Sequence, residues 1–341
     1  MKRPKVSIII PNYNNAKYLP ACLDSVQAQA FDDMEILVID DCSSDGSERV
    51  IRSYAARDPR ISYYKMNKNS GVGAVRNFGM DTAAGEYVFF LDSDDLIVPG
   101  TITDQVRIAE SLEADIVVGQ FTKVSEQFQI PDDCPTKTGF SFVSFENAHD
   151  VVWAINDLNL VTVWGKLYRR EMLEDLRFDT EIYPYEDVEF MLRLYPRMKI
   201  GATSGHASVF YRMSETSVIR DLDRDISNDV VMAMNSLLHF MLGNQGKIHA
   251  KYIRFLKKYC FEFMRLYIMK IKDKLHECHD KARRKKLKIM LLNVAEFVRA
   301  AHPTGLFRNL GIKKREKFGM WLFGQGFVIT GAKLLARVDG Y

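Results

Sequence analysis

Along the first 120 residues, short apolar runs alternate with longer stretches of helical spacing. Residues 6–10, VSIII, form an unbroken β-branched run, the pattern of a strand covered on both faces. Turn chemistry follows in PNYNNAKY, and residues 18–30 then set Leu19, Leu23 and Val26 on one helical stripe. EILVIDD (35–41) predicts a second strand closed by the turn CSSDGS, and 47–57 predicts a helix. RISYYKM reads as a third strand, NKNSGVG as a loop and AVRNFGMDTA as a helix stopped near Gly85. EYVFFL gives a fourth strand, Pro99 and Gly100 open a helix to about Glu113, and DIVVGQF gives a fifth strand. This alternation predicts an α/β fold with a doubly wound, mostly parallel sheet. Such sheets bind ligands outside the carboxyl ends of their strands.

Residues 122–225 are less regular, with WGKLYRREMLEDL, a helix-like YEDVEFMLRLY and SVFYRMSETSVI. From about 226 the pattern is helical, as Ile253, Leu256, Tyr259, Cys260, Phe263, Leu266 and Tyr267 show. The expected division is a domain over 1–225, with a first half to about 120 and a second half beyond it, followed by a basic helical region over 226–341. Charge sharpens that division. Residues 240–341 hold 23 Lys and Arg against 7 Asp and Glu, whereas 1–239 hold 24 against 37. No run of about 18 apolar residues predicts a membrane-spanning helix, and the apolar stretch after the basic N-terminus is too short for a signal peptide. Cys22, Cys42, Cys134, Cys260 and Cys278 are odd in number and scattered, which fits a reducing cytoplasm. His276, Cys278 and His279 lie close together but lack a fourth zinc ligand at a suitable spacing.

The strand ends carry the chemistry. Pro11, Asn12, Tyr13 and Asn14 follow the first strand, Asp40 and Asp41 the second, and Asp92, Asp94 and Asp95 the fourth. Singly, each is ordinary turn or cap chemistry. Converging on one crevice, several carboxylates need water or a cation to compensate them. An Asp-x-Asp pair suits Mg²⁺ or Mn²⁺, ions that commonly also bind phosphate. Asp41 has the chemistry to accept from a base N–H, and Tyr13 to flank that base. Arg76 offers a forked donor to phosphate, or holds an aspartate in place.

VSIIIPNYNNAKYLPACLDSVQAQ, EILVIDDCSSDGS, NSGVGAVRNFGM and GEYVFFLDSDD together resemble glycosyltransferase family 2, as do WGKLYRREML and YEDVEF further on. The resemblance covers about residues 4–215. It implies a GT-A fold and an inverting, metal-dependent transfer of sugar from a nucleotide-sugar donor, UDP-linked, to a hydroxyl of a surface glycan or lipid-linked saccharide. It places Pro11, Tyr13 and Asp41 on the nucleoside, Arg76 near base or phosphate, and Asp92 on ribose or metal. Asp94 would hold the metal, Mn²⁺ or Mg²⁺, and Asp187 would be the catalytic base. Glu186, Trp164 and Lys166 fall in the acceptor region, where Trp164 is open to two roles, stacking on a sugar face or packing as a buried aromatic. His206, Arg212 and Ser217 are candidates to reach the diphosphate. An aspartate opening a helix, as Asp187 does, is expected to stay ionised in the local dipole.

Two other classes stay open: a sugar nucleotidyltransferase, although no glycine-rich phosphate loop follows the first strand, and a non-catalytic nucleotide- or glycan-binding module. The basic C-terminal region has charge but no nucleic-acid motif. Residues 313–338 set cations beside Phe318, Trp321, Leu322, Phe323 and Phe327, the composition of a segment lying on an anionic membrane surface, with a solvated helical face or an oligomer contact as the alternatives for the basic region. The location expected on this reading is cytoplasmic, or peripheral at the cytoplasmic face of the inner membrane.

Overall fold

The structure, a computed structural model, describes residues 3–131, 134, 143–145, 161–213 and 227–301. The chain divides into two compact units, Met1–Thr180 with Glu186–Arg220, and Glu181–Tyr185 with Asp221–Tyr341.

The first unit is built on a mixed sheet. Strands β1 (Val6–Asn12), β2 (Met34–Asp40), β3 (Ile61–Lys65) and β4 (Tyr87–Phe90) run parallel in the order β3-β2-β1-β4. The unbroken apolar runs are explained by burial on both faces. Ile8 and Ile10 join a core with α1 (Leu19–Gln27), α2 (Ser47–Ala55) and α4 (Thr101–Leu112). Ile9 turns to the opposite face, where α3 (Val72–Thr82) packs on β1. That approach is close: a Cβ on Gly79 would stand 2.5 Å from Ile9 Cγ2. The helix starts two residues earlier than its apolar pattern suggested, because Gly71, at φ +84°, makes the sharp entry that other residues rarely adopt.

The expectation of a mostly parallel sheet holds for these four strands and then needs amending. The next strand beside β4 is β8 (Lys166–Arg169), antiparallel to both β4 and β6 (Ile116–Ser125). β6 pairs parallel with β9 (Gly201–Met213), which carries the short antiparallel strands β5 (Leu96–Ile97) and β7 (Val143–Phe145). The segment read as WGKLYR thus enters the sheet centre. Helix α5 (Glu186–Leu194) lies on the α3 face, with Phe190 stacked on Phe178 at 3.8 Å and Phe178 edge-on to Phe90.

The second unit is helical: α6 (Ser227–Gly243), α7 (Ala250–Glu277) and α8 (Lys281–Ala301). Met234, Leu237, Leu256, Phe261, Met264, Ile268, Leu287, Leu291 and Val294 form its apolar interior. No described helix is long and apolar enough to cross a membrane. Residues 313–338, and Ser217, lie outside the described residues.

Candidate active site

Strand register brings the acidic positions to one edge. Asn12 pairs with Asp40, and Ile9 with Phe90, so the ends of β1, β2 and β4 are nearly level. Asp40 is fully buried and organises the turn beyond β2. Its Oδ1 accepts from Asn12 Nδ2 at 2.7 Å and from the Ser43 hydroxyl, and its Oδ2 from Ser43 N at 3.1 Å. Asp41 spans to the next loop, where Ser70 N and Gly71 N each donate to one of its oxygens at 2.8 Å. Pro11 is buried in β1 opposite Ile39, and Tyr13 beyond it is 48% exposed. The edge is therefore a rigid rim with one accessible aromatic face.

Arg76, on α3, is 3% exposed and grips three carboxylates. Its Nη2 donates to Asp92 Oδ1 at 3.0 Å, and its Nη1 to Glu186 Oε1 at 2.9 Å and Asp187 Oδ1 at 2.5 Å. Of the two roles its residue type allowed, the geometry shows the second, holding aspartates in place. Its ring-side neighbour is Phe178, 5.5 Å away. Burial disfavours the guanidinium charge, but the three carboxylates outweigh it and keep Arg76 fully ionised. Burial raises Asp187 above the usual carboxylate range; Arg76 opposes this, and the Asp92 charge reinforces it. Glu186 is raised by burial and then by Asp187. The expectation that Asp187 ionises readily at its helix end is therefore corrected: burial raises its proton affinity, and Arg76 is the main group opposing that.

The remaining acids lack such a partner. Burial, then the Asp92 charge, pushes Asp94 up to about 6. Asp95 is raised well above its ordinary value by burial and then by Asp94 and Asp92. Its Oδ1 accepts from Arg212 N at 2.8 Å, while its buried Oδ2 has no hydrogen-bond partner. Arg212 itself sits over the Tyr18 ring and donates from Nη1 to the Glu126 carbonyl at 2.5 Å. Repelling carboxylates with an orphaned oxygen behind them fit a divalent cation. Among the described residues no three His, Cys, Asp or Glu side chains form a metal-holding group. Asp92 and Asp94 would supply two ligands, the usual protein share for Mg²⁺ or Mn²⁺ beside phosphate and water.

The acceptor positions need correction. Trp164 is 7% exposed, stacked on Tyr211 with ring centres 5.4 Å apart and edge-on to Phe121, so no ring face is open to a sugar. Lys166 is 1% exposed and donates to Thr162 rather than outward. Glu186 is buried against Arg76. His206 lines a cavity of about 120 Å³ with Asp104, Gln105 and Ser208, whose lining contains none of Asp92, Asp94 and Asp95. Sequence reasoning missed Ser43 and Val163, whose N–H donates to Asp187 Oδ2 at 3.3 Å. Backbone donors of this kind leave no residue-type signal.

Residues 7–177 match the model of the family described as glycosyl transferase family 2. Glycosyltransferase GlyA of Streptococcus pneumoniae is 35% identical over 181 residues, 51% of this chain and 26% of that protein. A Campylobacter jejuni protein named GalNAc(5)-diNAcBac-PP-undecaprenol beta-1,3-glucosyltransferase is 29% identical over 54% of this chain and 57% of its own. The chain thus spans about a quarter of the first relative's length and little more than half of the second's. The crystal structure of S. aureus TarS 1-349 in complex with UDP is 20% identical and superposes with a TM-score of 0.74, covering 99% of this chain and 92% of that one. That likeness concerns the fold: a GT-A, Rossmann-like unit followed by helices.

Proposed function

The chain belongs to glycosyl transferase family 2, and on that premise we propose that it is an inverting glycosyltransferase. The donor in this reading is a nucleotide sugar, UDP-linked, and the acceptor a hydroxyl of a surface glycan or lipid-linked saccharide. The observation that carries it is the single buried cluster in which Arg76 holds Asp92, from the donor edge, beside Asp187. UDP in the TarS complex and the undecaprenol-linked substrate in the Campylobacter name support the donor and acceptor classes.

Each residue then has a task. Tyr13 offers its exposed ring to the base, and Pro11 and Asp41 shape the nucleoside pocket, Asp41 by fixing the loop at Ser70 and Gly71. Asp187 keeps one side of its carboxylate on Arg76 and is partly open to solvent, at 19% side-chain exposure. There it takes the proton of the acceptor hydroxyl as that oxygen bonds to the anomeric carbon. The bond from that carbon to the diphosphate breaks, and the electron pair leaves with the nucleoside diphosphate. One base facing the side opposite the leaving group gives inversion. A raised carboxyl is a better base near neutral pH than a free aspartate. Mn²⁺ or Mg²⁺ held by Asp94 and Asp92 would neutralise the charge gathering on the diphosphate. Exposed Lys281, Lys285 and Lys288 on α8 continue the cationic character of 313–338 and support contact with an anionic membrane surface.

Asp187→Asn tests the assignment. Donor nucleotide binding is retained, and turnover falls by about a hundredfold or more, the usual size of a lost general base. Turnover equal to the parent's would sink it.

A further inference from the structure

Strand β8 opens on a buried lysine. Lys166 is buried, yet its Nζ has no carboxylate within bonding distance among the described residues. It donates to the Thr162 carbonyl and, at 3.1 Å, to Thr162 Oγ1. Taking an ammonium out of water costs several kcal/mol, so a bare packing role would be better filled by an apolar side chain. Two residues along the same strand, Tyr168 donates its hydroxyl to the Val163 carbonyl at 2.7 Å. Both bonds fall on successive peptides of one turn, and Gly165 N, donating to Phe90 O at 3.3 Å, ties that turn to β4.

The peptide that Lys166 grips is the one that touches Asp187. The Thr162 carbonyl and the Val163 N–H are opposite ends of one planar trans unit. The Val163 N–H donates to Asp187 Oδ2 at 3.3 Å. Burial lowers Lys166 to about 7, opposed by the Asp187 charge, so below neutral pH it is a cation; a cation on the carbonyl polarises that unit and strengthens its N–H as a donor. Arg76 holds the other oxygen, Oδ1. Lys166 therefore acts on Asp187 through one peptide and by its charge across space, with no hydrogen bond between the two side chains.

We infer that Lys166 is a positioning residue that keeps Asp187 ionised and aimed, through the Thr162–Val163 peptide, with Tyr168 fixing the peptide after it. The inference deepens the proposed transfer and rests on it for its purpose, while the linkage itself is measurable without any substrate. The charged groups facing Asp187 are Arg76 from α3, Asp92 beyond β4, Glu186 from its own helix and Lys166 from β8. Among these, the two cations hold its proton affinity down and the acids raise it.

The test is the titration of the Asp187 carboxyl in the full chain, read by ¹³C-labelled aspartate and assigned by its loss in Asp187→Asn. Lys166→Met should move the midpoint up by about half a unit or more, since a cation that favoured the ionised form is gone. Lys166→Gln, which keeps a neutral donor at the Thr162 carbonyl, should move it less and carries the test if the Met variant does not fold. In the parent chain the Val163 amide nitrogen should titrate together with Asp187. A midpoint unmoved in a folded Lys166 variant, or a Val163 amide indifferent to Asp187, overturns the relay. Normal turnover in Asp187→Asn with the relay intact would remove only the base assignment.

Discussion

Removing Arg76 should strand three carboxylates, and the cost should depend on pH in a fixed direction. At an effective dielectric of about 20, each charge pair near 4 Å is worth roughly 4 kcal/mol, so three pairs give a gross attraction of about 12 kcal/mol. Desolvating the four charged groups cancels most of that. What Arg76→Met exposes is the penalty for buried carboxylates left without a partner, about 3–5 kcal/mol. A domain is stable by only about 5–15 kcal/mol, so this loss is a large fraction of the total. Glu186 and Asp187 already have raised proton affinities from burial, and losing Arg76 raises them further. A carboxyl whose folded-state pKa lies above its unfolded value holds its proton in the window between the two. The folded state then binds more protons there, and stability falls as pH rises through the window. The loss in Arg76→Met should therefore be less than about half as large at pH 5 as at pH 8, and should keep growing above pH 8, because Glu186 is already raised to about 8 in the parent. Urea unfolding at both pH values reads this directly by linear extrapolation. Adding Glu186→Gln and Asp187→Asn to the variant should recover most of the stability at pH 8. A loss below about 1 kcal/mol, or one equal at pH 5 and pH 8, refutes the reasoning.

Asp41→Ala strips the acceptor from Ser70 N and Gly71 N. It should cost about 2 kcal/mol, in the range of hydrogen bonds to charged groups, and weaken nucleotide binding measured by calorimetry. Gly79→Ala sets a methyl 2.5 Å from Ile9 Cγ2. Overpacking of about 1–3 kcal/mol should exceed the helix-propensity gain of about 1 kcal/mol, so thermal unfolding should come at lower temperature; a stabilised variant would show that the α3–β1 contact is looser than described.

The legible parts of the chain were those where one stretch carries its own signal. VSIII, EILVID and YVFF announce buried parallel strands because both faces are covered, and register then brings Asn12, Asp40 and Asp92 to one edge. Lys166–Arg169 gave no such signal: four residues, antiparallel between β4 and β6, are placed only by pairing with strands far away in sequence. Arg76 shows the same limit. Its residue type allowed a phosphate contact or an aspartate contact, and the choice rests on Glu186 and Asp187, 110 and 111 positions further on. Of the two roles open to Trp164, a sugar platform and a core aromatic, only the enclosure by Tyr211 and Phe121 decides for the second. Val163 was invisible, since it contributes only its backbone N–H.

The most direct test of the account is the stability of the protein with UDP, GDP, CDP and dTDP, each with and without Mn²⁺. The account predicts that UDP stabilises it in the presence of Mn²⁺, by about 2.7 kcal/mol at a hundred times its dissociation constant, and that Asp94→Asn removes the metal-dependent part. No stabilisation by any of the four at millimolar concentration, with or without the metal, would contradict it and leave Asp92 and Asp94 as turn residues with no part in nucleotide binding.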